Sequence, residues 1–138
     1  MERICRYICL LCVCFMALQV QANRRKVMEY PGFVLSNTAE IEFKRIIQTS
    51  EQTQVDAVMY GKPGTPVVIS SKAALKWADG GIAQLREAER ISIDGVTEPE
   101  VIEENGTLEV TLSFSPIPSD VHEVDFIEPE MGWNIFVS

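Results

Sequence analysis

The chain has 138 residues, 20 acids against 12 bases and a single histidine, for a formal net charge of −8. A surface of that sign repels the phosphates of nucleic acid and of an anionic membrane, which clustered lysines and arginines must neutralise; no nucleic-acid partner is expected. All four cysteines, Cys5, Cys9, Cys12 and Cys14, lie near the start, so the rest of the chain lacks thiols for catalysis, disulfides or a zinc site.

Residues 1–22 read as a cleavable signal peptide. Arg3 and Arg6 form the basic start, Tyr7 to Leu18 an uncharged apolar run, and Val20 and Ala22 the small residues before a cut at Asn23. The run is shorter than the roughly 20 apolar residues of a spanning helix. No cysteine follows the Leu-small-small triplet of a lipoprotein. The leader predicts export, to the periplasm or outside the cell, with no membrane insertion after cleavage. It holds Glu2, Arg3 and Arg6, so its removal moves the net charge from −8 to −9. Residues 23–138 are then one cysteine-free domain that must fold on apolar burial. Its first basic run, Arg24-Arg25-Lys26, reads as a frayed tail.

Strand patterns follow in order. Ile41, Phe43 and Ile47 alternate with Glu42, Lys44 and Ile46, and Val55, Ala57 and Met59 with Asp56, Val58 and Tyr60. Gly61 to Pro66 is a turn; its order of Gly, Lys and Thr does not suit a phosphate loop. Val67 to Ile69 predicts a short buried strand. Ala73 to Ala78, Asp79-Gly80-Gly81 and Ile82 to Leu85 predict a hairpin, with helix over residues 71–90 as the alternative. Asp94-Gly95 is a turn pair. Asn105-Gly106 predicts a tight hairpin turn, since both residues tolerate positive φ, and with Thr107 it matches a glycosylation sequon that the turn alone explains.

From Thr107 the alternation is cleanest: Leu108, Val110, Leu112 and Phe114 face one way, with Glu109, Thr111 and Ser113 between them. Pro116-Ile117-Pro118 ends that strand because neither proline can donate to a ladder. Val124 to Ile127 and Trp133 to Val137 close the domain. About seven to nine short strands with regularly spaced turns predict an all-β fold, a sandwich or barrel.

The stretch Leu112 to Pro118, then Val124-Asp125-Phe126-Ile127-Glu128, then Trp133-Asn134-Ile135-Phe136-Val137 resembles a pattern of exported modules of Bacteroidetes, whose function is uncharacterised. The resemblance implies an immunoglobulin-like β-sandwich and offers no catalytic residues. Val124 stands where that pattern has an aromatic. Asp125 and Glu128 are expected to be structural carboxylates that accept backbone N–H groups left without a ladder partner.

Other chemistry has little material. A Ser-His-acid arrangement must use His122, and no nucleophile elbow is present. Asp94, Glu98, Glu100, Glu103 and Glu104 supply oxygens suited to calcium, in a spacing that also describes a solvated loop. Trp77, Trp133, Tyr30, Tyr60, Phe33 and Phe136 are the aromatics available for stacking on a sugar, with Tyr60 and Phe136 the expected surface pair. No cofactor or catalytic residue is expected. The leading expectation is a non-catalytic exported sandwich that engages another protein, identity unknown. The alternatives are a carbohydrate- or small-ligand-binding domain, with or without calcium, and a small hydrolase.

Overall fold

The structure, a computed structural model, describes residues 26–29 and 31–138. Residues 1–25, which include the expected leader and all four cysteines, and Tyr30 lie outside the described residues. The described chain is all-β, with eleven strands: β1 (Lys26–Glu29), β2 (Val34–Ser36), β3 (Ile41–Gln48), β4 (Thr53–Tyr60), β5 (Val68–Ile69), β6 (Ala74–Trp77), β7 (Gly81–Glu89), β8 (Ser92–Ile93), β9 (Thr107–Phe114), β10 (Val124–Glu128) and β11 (Trp133–Val137). Nine of them form one sheet in the order β1-β3-β4-β9-β7-β6-β10-β11-β2. Among the described residues no helix is long and apolar enough to cross a membrane.

This sheet doubles over on itself through β7. Residues 81–84 of β7 pair with β6, while residues 85–89 pair with β9, and the register slips between Leu85 and Glu87. The extra residue, Arg86, makes a bulge, which bends a strand and increases its twist. One layer is therefore β1, β3, β4, β9 and the end of β7. The other is the start of β7 with β6, β10, β11 and β2. Their facing sides meet in the core, where Phe126 of β10 lies edge-on to Phe43 of β3 at 5.1 Å and to Phe114 of β9 at 6.2 Å.

Alternation sets the packing. Leu108, Val110, Leu112 and Phe114 are all buried, as are Phe126, Ile135 and Val137 opposite them. In β3 the expected alternation breaks. A register shift between Phe43 and Arg45 puts Ile46, not Ile47, beside Ile41 and Phe43 in the core cluster, and turns Ile47 onto the other face. Val67 to Ile69 is also less regular than expected: Val68 is exposed, and β5 pairs in parallel with β8 in a separate two-stranded sheet.

Both expected turns form, with different backbone geometry. The turn with positive φ at both central residues is Asp94-Gly95, at 54° and 73°, closed by the Val96 N–H donating to the Ile93 carbonyl at 3.1 Å. At residues 105–106 only Gly106 is left-handed, at 83°. Asn105 keeps negative φ, and its side-chain oxygen accepts from the Thr107 N–H and hydroxyl. Residues 71–90 are strand and turn, not helix, and the β6–β7 hairpin forms as expected.

Trp77 pairs with Gly81 across that hairpin, and its indole lies where a side chain on residue 81 would stand. Only glycine fits beneath the ring. Gly81→Ala is expected to expel the indole and cost about 1–3 kcal/mol, read as a lower denaturant midpoint with red-shifted tryptophan emission. Thr53, fully buried at the start of β4, has a hydroxyl with no hydrogen-bond partner. Thr53→Val is expected to stabilise the protein by about 1 kcal/mol by removing an unpaired buried polar atom; an unchanged or lower melting temperature would contradict this.

Candidate functional site

The β2 segment carries the most conspicuous unsatisfied surface of the described residues. It is one edge of the nine-stranded order, with β11 on one side and, among the described residues, nothing paired on the other. Phe33 and Ser138 exchange both backbone hydrogen bonds, at 3.3 and 3.0 Å, and the Asn37 N–H donates to the Asn134 carbonyl at 3.2 Å. Antiparallel ladders alternate, so residues 33, 35 and 37 turn their backbone groups toward β11. Val34 and Ser36 turn theirs toward the open edge.

The side chains there are apolar and exposed. Phe33 is 56% accessible, Val34 44% and Leu35 65%. Phe33 and Leu35 share the outer face with Phe136, which lies opposite Leu35 and meets the Phe33 ring at 6.0 Å. Residues 31–39 include no charged side chain. Beside the edge runs a groove of ≈ 410 Å³ between β2 and β3, with Ile41, Phe43 and Ile135 among its lining and Tyr60 at its rim.

Two anchors fix this edge. Asn37 donates through its amide nitrogen to the Gly132 carbonyl at 2.9 Å, and its oxygen accepts from the Asn134 N–H at 2.8 Å. Glu40 accepts from the Trp133 indole N–H at 3.0 Å. Both tie the β2–β3 connection to the β10–β11 hairpin. That hairpin is in turn held by Glu128. Its carboxylate is fully buried and accepts the N–H groups of Glu130 at 2.9 Å and Met131 at 3.0 Å.

The other residues singled out from sequence are spread over the molecule. Asp125 is half-buried on the outer face of β10, between Phe136 of β11 and Lys76 of β6, and its carboxylate receives no hydrogen bond from the described residues. Tyr60 stands on β4 in the other layer and donates to Glu42 at 2.6 Å. Tyr60 and Phe136 therefore do not share a face. Phe136 stacks edge-on with Phe33 instead. His122 is exposed on the loop before β10, close to Gln48 and Val121.

The acidic run after β8 is drawn apart. Glu100 and Glu103 pair with Arg90 at 3.1 and 2.7 Å, while Asp94 accepts from the Ser71 N–H at 3.0 Å. Hydrogen bonds from Ser71 hold Asp94 below its ordinary carboxylate range. Among the described residues no three acidic or histidine side chains converge as a metal site. A second groove of ≈ 600 Å³ crosses the outer face of β3, β4 and β9 around Asp56. Asp56 is already engaged by Arg45, Gln54 and Thr111, so its carboxylate serves as a structural knot.

Sequence reading had singled out Phe33 and Phe136 as aromatics but not the strand between them. The signal was the run Phe33-Val34-Leu35 bounded by Gly32 and Asn37, too short to show a period. Asn37 and Glu40 have no local signature, because their partners lie more than ninety positions away. Searches against protein-family models, curated proteins and solved structures found no match to this chain.

At the groove rim, ionising Tyr60 would set two anions face to face. Its pKa is therefore raised by the bond to Glu42, while bonds from Tyr60 and Lys44 lower that of Glu42. The contact is complete between those limits. It is lost as pH rises through the raised tyrosine value or falls through the lowered glutamate one. A nuclear magnetic resonance titration should find Tyr60 ionising above a free tyrosine, and Glu42→Gln should move it back down. Glu128→Gln should cost about 2 kcal/mol, since an amide nitrogen replaces a charged acceptor facing an N–H; chemical denaturation measures it.

Proposed function

We propose that this protein is an exported, non-catalytic β-sandwich, immunoglobulin-like in type, that serves as an interaction or accessory module of a bacterial envelope. It engages a protein partner along β2. The single observation that carries this reading is the edge itself: exposed Phe33, Val34 and Leu35 beside backbone groups at Val34 and Ser36 that face outward. Natural sheets blunt exposed edges with charge, bulges or covering loops. This one offers an apolar, uncharged strip suited to strand addition, in which main-chain bonds supply affinity and alternate side chains supply specificity.

The leader-like residues 1–22 supply the compartment, and the resemblance of residues 112–137 to exported Bacteroidetes modules is in keeping with it. Glu128 and its hairpin fit a scaffolding role for the acidic residues near the C-terminal strands.

The test is crosslinking and retrieval of the tagged protein from its own cell envelope. Leu35→Lys sets a charge on the strip at a well-exposed position. It should reduce the retrieved partner at least about tenfold, as the loss of a central apolar anchor does, while Val96→Lys, 86% exposed elsewhere, leaves retrieval intact. Equal retrieval by wild type and Leu35→Lys would overturn the assignment to β2.

A further inference from the structure

We infer that the β2 edge pairs with the β2 edge of a second copy, in antiparallel register centred on Leu35. The inference rests on the reading of β2 as the interaction edge and names its occupant. The outward-facing backbone groups are those of Val34 and Ser36, set by the bonds that Phe33 and Asn37 make to β11. In an antiparallel pair with a twofold axis at Leu35, Val34 meets Ser36 of the second copy and Ser36 meets its Val34. Both meetings are hydrogen-bonded positions, so the four outward groups of each strand find partners. An axis at Leu35 is the one residue-centred register that pairs all four groups within the strand: an axis at Val34 would set Ser36 opposite Gly32, and one at Ser36 would set Val34 opposite Thr38, both beyond the ends of β2.

The same register deals with the exposed side chains. Leu35 falls at a non-hydrogen-bonded position, where opposing side chains approach most closely. It would meet Leu35 of the second copy, with Phe33 and Phe136 of each chain flanking the contact on the same face. Charge selects this surface as well. Two chains of net charge −8 repel, and residues 31–39, with no charged side chain, are where they can touch at least cost. A C2 contact of this kind is self-complementary by construction. Its area is small, so the dimer belongs to the weak, dissociable class.

The protein expressed in full, and purified in the form the cell yields, provides the test. Sedimentation velocity should show monomer at about 10 µM and increasing dimer toward about 1 mM. Added salt should raise the dimer fraction by screening like charges. Val34→Pro removes one outward N–H at an edge position that tolerates proline, and Leu35→Lys opposes two cations across the axis; both should remain monomeric with unchanged circular dichroism. Leu35→Cys supplies a thiol at a pair whose Cα atoms lie about 4.5 Å apart, within disulfide reach. It should form a disulfide-linked dimer at least about tenfold faster than Ile82→Cys, because the two thiols are held together.

Three results would overturn the inference: a wild-type monomer throughout the range, Leu35→Cys linking no faster than Ile82→Cys, or a dimer that survives Val34→Pro. A wild-type monomer whose retrieved envelope partner is lost in Leu35→Lys would sink the self-pairing alone and leave the interaction edge standing. Retrieval unaffected by Leu35→Lys, with no self-association, would sink both.

Discussion

At Arg86 the β7 backbone leaves the register it shares with β6 and takes up that of β9. The bend turns one nine-stranded order into two facing layers. Its consequences run through the core. The inner face of β9 comes to lie over that of β10, and Phe126 meets Phe43 and Phe114 across the gap. Had β7 stayed straight, Leu108, Val110, Leu112 and Phe114 would have had no opposing layer, and a single sheet would have exposed a whole apolar face. Arg86 itself reaches out to the Glu51 carbonyl at 3.3 Å, which ties the bend to the β3–β4 turn.

A sheet that folds about one strand closes on that side only. On the other side β2 and the first half of β3 face each other across a groove, and among the described residues β1 pairs only with the second half of β3, Arg45 to Gln48. The open side is thus a product of the closure, not a local accident of β2. Asn37, Glu40 and Trp133 stiffen it from behind. Their bonds hold the β2–β3 connection against the β10–β11 hairpin, whose own turn depends on the buried Glu128 carboxylate. The edge is exposed and at the same time fixed in shape, which is the combination that lowers the ordering cost of adding a strand.

Much of this fold was legible in the sequence where a local pattern and the global packing ask for the same thing. The period of two from Leu108 to Phe114 is a strand buried on one face, and the structure buries that face. The Asp79-Gly80-Gly81 turn, the two C-terminal strands and the all-β class are of the same kind. The failures have physical causes. The bulge after Phe43 moved Ile46 into the core, and a bulge depends on partner strands that a local window does not contain. Asn105-Gly106 and Asp94-Gly95 look equally fit for a turn with two positive φ values. Asp94 alone receives the long-range bond from Ser71 that rewards the strained conformation, whereas Asn105 spends its side chain on Thr107. The candidate site was legible only in fragments: Phe33 and Phe136 by type, Leu35 and Val34 not at all, because edge status is a property of the strand order.

Among the described residues the sheet has two edges, and they differ in what they permit. β1 carries Lys26 and Glu29 at its ends, while β2 and its flanks are uncharged from Pro31 to Ala39. If β1 of one copy paired with β2 of the next, the contact would be heterologous, and each addition would leave a fresh edge open, the geometry of a growing filament. A β2–β2 contact consumes both apolar edges and leaves only the charged ones outside, so it stops at two. The short length of β2, the proline at its start and the strong negative charge of the chain all act against further growth. The same features that make this edge a poor seed for aggregation would keep a contact there weak and reversible.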